Sequence, residues 1–149
     1  MAATSPMAFL RDMAEQTLTD TTAELGKVQQ VYTLATEQLR QLENFALEYQ
    51  QQLHSTVSGK GIPMAELLNR QSFIDSLGKV VRQHTGHVAR CKEAVDEKLE
   101  TWRQDKKRLN AFETLQSRSE AVRMQKEQRL EQKAMDEFAQ RASTRKKIL

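Results

Sequence analysis

The stretch that decides the fold reads IDSLGKVVRQHTGHVARCKEAVDEKLETWRQDKKRL and spans residues 74–109. An apolar residue recurs at every seventh position, in the order Ile74, Val81, Val88, Val95, Trp102 and Leu109. A period of seven gives a helix one narrow apolar seam, which a single helix cannot bury by itself. Because residues 66–142 contain no proline, we expect a long helix here that requires a partner.

The first third of the chain supplies a partner with a matching seam. Ser5 and Pro6 suit an N-cap and a first helical position, and the helix that follows is predicted to end near residue 56. Its seam consists of two heptad rows, named a (Leu18, Leu25, Tyr32, Leu39, Ala46 and Leu53) and d (Thr21, Val28, Ala35, Leu42, Tyr49 and Thr56). Before Leu18 we expect the register to shift, because the apolar residues Leu10 and Met13 lie off this seam, and we interpret the shift as a change of partner or frayed packing.

A turn is predicted at SGKGIP, residues 58–63, because two glycines and a proline fall within six residues. So short a connection returns the second helix antiparallel to the first, with Leu18 opposite Lys107. The predicted fold is all-α: one long antiparallel two-helix coiled coil over residues 1–149. Its parts are a turn at 57–65, a second helix at about 66–142 that protrudes beyond the first, and a disordered tail at 143–149.

The d row of the second helix is polar in its middle, since it consists of Leu77, His84, Cys91, Lys98, Asp105 and Phe112. Polar residues in a seam fix register and pairing, which we prefer to a catalytic role for Lys98 and Asp105. His84, His87 and Cys91 could share one helix face, but a zinc site needs more ligands. We therefore predict no metal site and no cofactor.

Composition and charge narrow the class of protein. Of the residues, 29% are charged and 5% are aromatic, which is typical of long helices. Cys91 is the only cysteine, and no stretch is apolar enough to span a bilayer, so we expect a cytoplasmic protein, monomeric when isolated. No phosphate loop or nucleophile motif is present, so we predict that the chain is not an enzyme.

One side of the predicted coiled coil carries an unusual surface. The g row flanks the seam on one side and the e row on the other, and g positions normally carry charges. Near the turn they are instead largely apolar and, together with adjoining d residues, form a strip across both helices: Gln38, Leu42, Phe45, Tyr49, Phe73, Leu77, Val80 and His84. We predict a binding surface here. In the alternative interpretation, these side chains only thicken a weak seam.

Three blocks of sequence resemble the bacterial flagellar export protein FliJ family: Phe73–His84, Trp102–Gln116 and Gln132–Ala142. The resemblance implies a non-enzymatic component of the flagellar type III export apparatus, similar to the central stalk of rotary ATPases. Its implied partners are a hexameric export ATPase, a transmembrane export gate at the inner membrane and possible export chaperones. Given these partners, we expect the apolar strip to dock on the gate, because exposed apolar surface reduces solubility. We expect the end where the two termini meet to engage the ATPase ring through Leu10, Met13, Leu130, Met135, Phe138 and Arg141.

Two other functions remain open from the residues alone. One is a generic coiled-coil scaffold whose partner is unrelated to export. The other is RNA binding by the basic face from Arg118 to Arg145, since lysine and arginine release counterions from phosphate. Interspersed glutamates and the scarcity of stacking aromatics argue against RNA, so we predict no nucleic-acid partner.

Overall fold

The computed structural model describes residues 5–148, with side chains described for residues 5–146, and consists of two α-helices. Helix α1 spans Pro6–Gly59 and helix α2 spans Met64–Ile148. The two helices pack against each other as an antiparallel hairpin, and the described residues contain no strand. The predicted all-α fold is therefore confirmed.

The ends of α1 follow the predicted capping chemistry. The hydroxyl Oγ of Ser5 accepts a hydrogen bond from the Ala8 backbone N–H at 3.1 Å, which confirms the N-cap. At the other end α1 continues to Gly59, beyond the predicted residue 56, because nothing earlier interrupts the backbone pattern. The N–H of Gly61 then donates to the Thr56 carbonyl at 3.0 Å, and Gly61 adopts a φ of 70°, which favours glycine.

Contacts divide the chain into two compact units. The turn unit comprises Thr19–Gln104, and the terminal unit comprises Met1–Leu18 together with Asp105–Leu149. In the turn unit every a and d residue of α1, and every one of α2 from Ile74 onwards, is buried or half-buried. The predicted seam is thus confirmed there, and Leu25, Ala35, Leu53 and Cys91 are its most buried apolar members.

Polar contacts cross the seam of the turn unit. The indole Nε1 of Trp102 donates to Oγ1 of Thr22 at 2.9 Å, and Nζ of Lys98 lies 2.7 Å from a carboxylate oxygen of Glu24. The alignment predicted from the turn places residue 22 opposite residue 103, one position away from Trp102, so the contact between Thr22 and Trp102 agrees with it. Lys98 therefore pairs across the helices at a seam position, as polar seam residues do when they specify register.

The terminal unit corrects one prediction. A shifted or frayed register was expected before Leu18, but Ala14 is 5% exposed and packs at a d position, while Arg11 is half-buried at an a position. The Arg11 guanidinium lies 3.8 Å from a carboxylate oxygen of Glu113 on α2. The same register continues because a small alanine fits the seam and the long stem of arginine covers it.

The C-terminal end of α2 differs from prediction. The helix begins at Met64, in agreement with the predicted start near residue 66, and Glu66 in its first turn complements the helix dipole. It extends to Ile148, so the predicted disordered tail at 143–149 is wrong for residues 143–148; Leu149 lies outside the described residues. No glycine or proline interrupts this end, and Arg145 and Lys146 carry the charge that a helix C-terminus favours.

In the terminal unit α2 extends beyond the end of α1, as predicted. Every side chain from residue 117 to residue 146 is exposed, whereas Leu109 nearby is only 5% exposed. Among the described residues, no helix is long and apolar enough to cross a membrane.

Replacing Leu109 with alanine should destabilise the terminal unit. Removing a buried leucine side chain costs about 2–5 kcal/mol, and we expect the lower end of that range because a two-helix seam relaxes easily. Urea unfolding followed by circular dichroism measures the change. The matched control is Leu130→Ala, since Leu130 is 67% exposed on the same helix. Equal unfolding midpoints for the two variants would contradict the buried seam.

The pair formed by Glu24 and Lys98 should leave a signature in the pH dependence of stability. The hydrogen bond and charge of Lys98 lower the pKa of Glu24 from its ordinary value of 4.5. A carboxyl with a lowered pKa stabilises the fold above that ordinary value, and this contribution is lost as the pH falls through the lowered pKa. Because both groups are exposed, the effect on stability is small.

Substituting Lys98→Met should therefore raise the pKa of Glu24 and weaken the loss of stability below pH 4.5. An NMR titration of the Glu24 carboxyl carbon measures the first effect directly. Lys92→Met removes an equal charge from an exposed residue of the same helix and serves as the control. A Glu24 pKa that is the same in all three proteins would refute the contact.

Candidate functional site

The apolar strip, formed by the eight residues from Gln38 to His84 named above, lies within the turn unit. Its outer members remain in contact with solvent: Phe45 is 50% exposed, and Phe73 and Val80 are each 43% exposed. Its inner members Leu42, Tyr49, Leu77 and His84 are half-buried at d positions. The strip is therefore an apolar surface that packing in the seam buries only in part.

Three aromatic rings join the two halves of the strip. The ring of Tyr49 meets that of Phe73 edge-on, with centroids 4.8 Å apart, across the two helices. On α1 itself the rings of Phe45 and Tyr49 are 6.4 Å apart. Aromatic pairs of this geometry add a modest stabilisation beyond their buried area. The rings thus thicken the seam and also leave much of their surface free, so the two interpretations of the strip are compatible.

His84 holds its ring in a defined orientation at the seam. Its Nε2 lies 3.0 Å from the backbone carbonyl oxygen of Ala35 on α1. Because a carbonyl oxygen only accepts hydrogen bonds, Nε2 must carry the proton in this contact. The backbone of α1 and a side chain of α2 are therefore joined at the end of the strip that lies farther from the turn.

The neighbourhood of His84 contains the candidate metal ligands considered from the sequence. The ring of His87 lies 5.4 Å from that of His84 between centroids, and Sγ of Cys91 is 3.7 Å from Nε2 of His87. Cys91 is buried at the seam, whereas His87 is exposed. Within residues 5–146 no group of three or more histidine, cysteine, aspartate or glutamate side chains could hold a metal ion.

An ion pair of Arg40 and Glu37 lies on the side of α1 that faces away from the strip. The guanidinium of Arg40 hydrogen-bonds to the Glu37 carboxylate and thereby lowers the pKa of Glu37, while the pKa of Arg40 is raised in turn. Both side chains are about half exposed, so the pair contributes little to stability.

The residues proposed for an ATPase ring fall into two clusters within the terminal unit. Leu10 and Met13 line a groove of about 270 Å³ together with Ala14, Thr17, Arg108 and Phe112. Leu130, Met135, Phe138 and Arg141 lie farther along α2 and are fully exposed, with Phe138 at 76%. At 1.5 Å per residue, Leu130 is roughly 27 Å along the helix from Phe112, so the structure does not bring the six residues into one patch.

Sequence reasoning missed several exposed apolar residues that the structure reveals. Val31 and Leu34 on α1 are 52% and 60% exposed, and Leu115 and Val122 on α2 are 42% and 52% exposed. Val31, Leu115 and Val122 occupy g positions. Heptad spacing predicts these three positions when the g row is extended beyond the residues near the turn.

Comparison with known proteins gives consistent matches along nearly the whole chain. The sequence matches the family model described as "Flagellar FliJ protein" over residues 4–147. It is 40% identical over 146 residues to the flagellar FliJ protein of Escherichia coli (strain K12), covering 98% of this chain and 99% of that protein. The flagellar FliJ protein of Salmonella typhi is 38% identical over the same length and with the same coverage.

Proposed function

Because the chain belongs to the flagellar FliJ family and is thus a component of the flagellar export apparatus, we propose that it links the export ATPase to the export gate. In this role it acts as a stalk or adaptor without catalysing a reaction and without a cofactor. The observation that carries the proposal is the apolar strip, in which Phe45 and Phe73 stay 50% and 43% exposed although both rings pack against Tyr49.

The strip is proposed to dock on the transmembrane export gate. Exposed apolar surface reduces solubility, and a partner that covers it removes that cost. Aromatic residues that project from a fixed backbone also make good interface anchors, because little conformational entropy is lost when they are covered. The edge-on contact between Tyr49 and Phe73, and the bond between His84 and Ala35, hold the strip in one arrangement before binding.

The free end of α2 is proposed to engage the hexameric ATPase. Leu130, Met135 and Phe138 are 67%, 70% and 76% exposed and have no α1 residues beside them to cover them. Arg141 adds a positive charge beside Phe138, and the two side chains line a common surface depression with Ala142 and Arg145. Leu10 and Met13 form a separate apolar groove, which we propose as a secondary contact with the ring.

Further features of the proposal concern location and other partners. We propose peripheral association with the inner membrane through the gate, and a role in handling export chaperones. Nucleic acid is not proposed as a partner, because Glu127, Glu131, Asp136 and Glu137 interrupt the basic residues of the exposed end.

Variants of the strip should separate docking from stability. We expect Phe45→Ala and Phe73→Ala each to weaken binding to detergent-solubilised gate by about 1–3 kcal/mol, as the loss of an interface anchor does. Leu47→Ala is the matched control, since Leu47 is 54% exposed on the same helix but faces away from the g row. Binding is measured by titration and stability by thermal melting. If melting temperature falls while gate affinity is unchanged, the rings only thicken the seam.

Truncation should test the exposed end of α2. Removing the residues after Ser117 deletes side chains that are all exposed up to residue 146, so the remaining hairpin should keep its helical circular dichroism. Stimulation of the export ATPase should be lost, while gate binding through the strip persists. Val122→Ala in the full chain controls for a general effect of changes in this segment. Undiminished stimulation by the truncated chain would place the ATPase contact elsewhere.

A further inference from the structure

Helix α2 separates its charges onto two sides between residues 108 and 133. With a rotation of about 100° per residue, one side holds five basic residues within an arc of about 80°. The glutamates of this segment lie within about 40° of each other on the roughly opposite side. The basic side contains Arg108, Arg118, Lys126, Arg129 and Lys133, and the acidic side contains Glu113, Glu120, Glu127 and Glu131.

Apolar side chains lie between the basic ones. Leu115 and Val122 fall within the basic arc and are 42% and 52% exposed. Arg108 also borders the groove of the terminal unit, where Leu10 and Met13 extend the apolar surface onto α1. We name the surface formed by Arg108, Leu115, Arg118, Val122 and Arg129 the basic apolar face. It shares no residue with the apolar strip.

Ion pairing is unequal on the two sides. On the acidic side, Glu113 pairs with Arg11 at 3.8 Å and Glu127 pairs with Arg123 at 3.9 Å. Among the described residues 5–146, no ion pair involves Arg108, Arg118 or Arg129. The basic apolar face therefore keeps a positive charge that the chain does not neutralise, next to apolar surface that the chain does not cover.

From this arrangement we propose that the basic apolar face binds an amphipathic helix of a partner protein whose apolar ridge is flanked by aspartate or glutamate. Leu115 and Val122 are spaced by seven residues, so a helix lying alongside α2 would meet them with its own heptad ridge. Carboxylates on either side of that ridge would accept hydrogen bonds from the arginines, which form strong paired contacts with carboxylate.

The composition of the face favours such a helix over other anionic partners. Nucleic acid would meet no aromatic side chain on this face on which its bases could stack. A membrane surface needs more bulky apolar residues than Leu115 and Val122 supply. None of the five residues of the face belongs to the proposed gate or ATPase contacts, although Arg108 also borders the groove of Leu10 and Met13.

The probe for this proposal is a fluorescent three-heptad peptide with leucine at its a and d positions and glutamate at e and g. We expect it to bind the full chain, and the double variant Arg108→Glu/Arg118→Glu to bind it at least about tenfold more weakly. The matched control is Lys92→Glu/Lys106→Glu, which makes the same charge change at two exposed e positions and should alter affinity less than about twofold. Fluorescence anisotropy measures affinity, and melting curves verify that all variants fold.

Two comparison probes make the result specific. A peptide with lysine in place of glutamate should bind the double variant better than the natural chain, because the charges are then exchanged on both partners. A scrambled acidic peptide of equal composition should bind poorly. The proposal is overturned if the acidic peptide does not bind, or if both double variants lower its affinity equally. It is also overturned if the scrambled peptide binds as tightly as the acidic peptide. Tighter binding of a single-stranded oligonucleotide at physiological salt would also overturn it.

Discussion

The packing of one narrow seam between two helices is the constraint on which the rest of this structure depends. Such a seam buries little area per residue, so apolar contact alone discriminates poorly between one register and the next. Three polar contacts across the turn unit supply that discrimination: His84 with the Ala35 carbonyl, Lys98 with Glu24, and Trp102 with Thr22. Each of these contacts would be lost if one helix shifted by one heptad along the other. Antiparallel packing places the two g rows on the same side of the seam, and this register brings their apolar parts together and thereby creates the apolar strip.

Much of the fold could be predicted because the heptad pattern and the end signals are local. The seam rows, the Ser5 cap and the turn at Gly61 follow from residue type and spacing alone. The register near the N-terminus could not be predicted in this way. Its seam positions hold Arg11 and Ala14, and an arginine stem that covers a seam is indistinguishable in sequence from an exposed charge. The helical end at 143–148 could not be predicted, because a short basic terminus is as typical of a disordered tail as of a helix end, although arginine and lysine have good helix propensity.

The candidate surfaces were predictable to differing degrees. The apolar strip was visible because aromatic residues stand where charges are usual, but its exposure depends on ring packing that no sequence pattern specifies. The basic apolar face could not be predicted from net charge, which is modest along residues 108–133. Only the angular positions of the residues around the helix separate the arginines from the glutamates. The apolar strip, the six residues proposed for the ATPase and the basic apolar face have no residue in common. Two helices can thus offer separate surfaces to separate partners.

The central claim is that one chain contacts the export ATPase and the export gate at the same time. Sedimentation velocity on a mixture of the full chain, the hexameric ATPase and detergent-solubilised gate tests it most directly, with each component carrying a different fluorophore. The account predicts a single faster-moving species that contains all three labels and that disappears when the chain is omitted. Only binary complexes, with the gate displacing the ATPase from the chain, would contradict it.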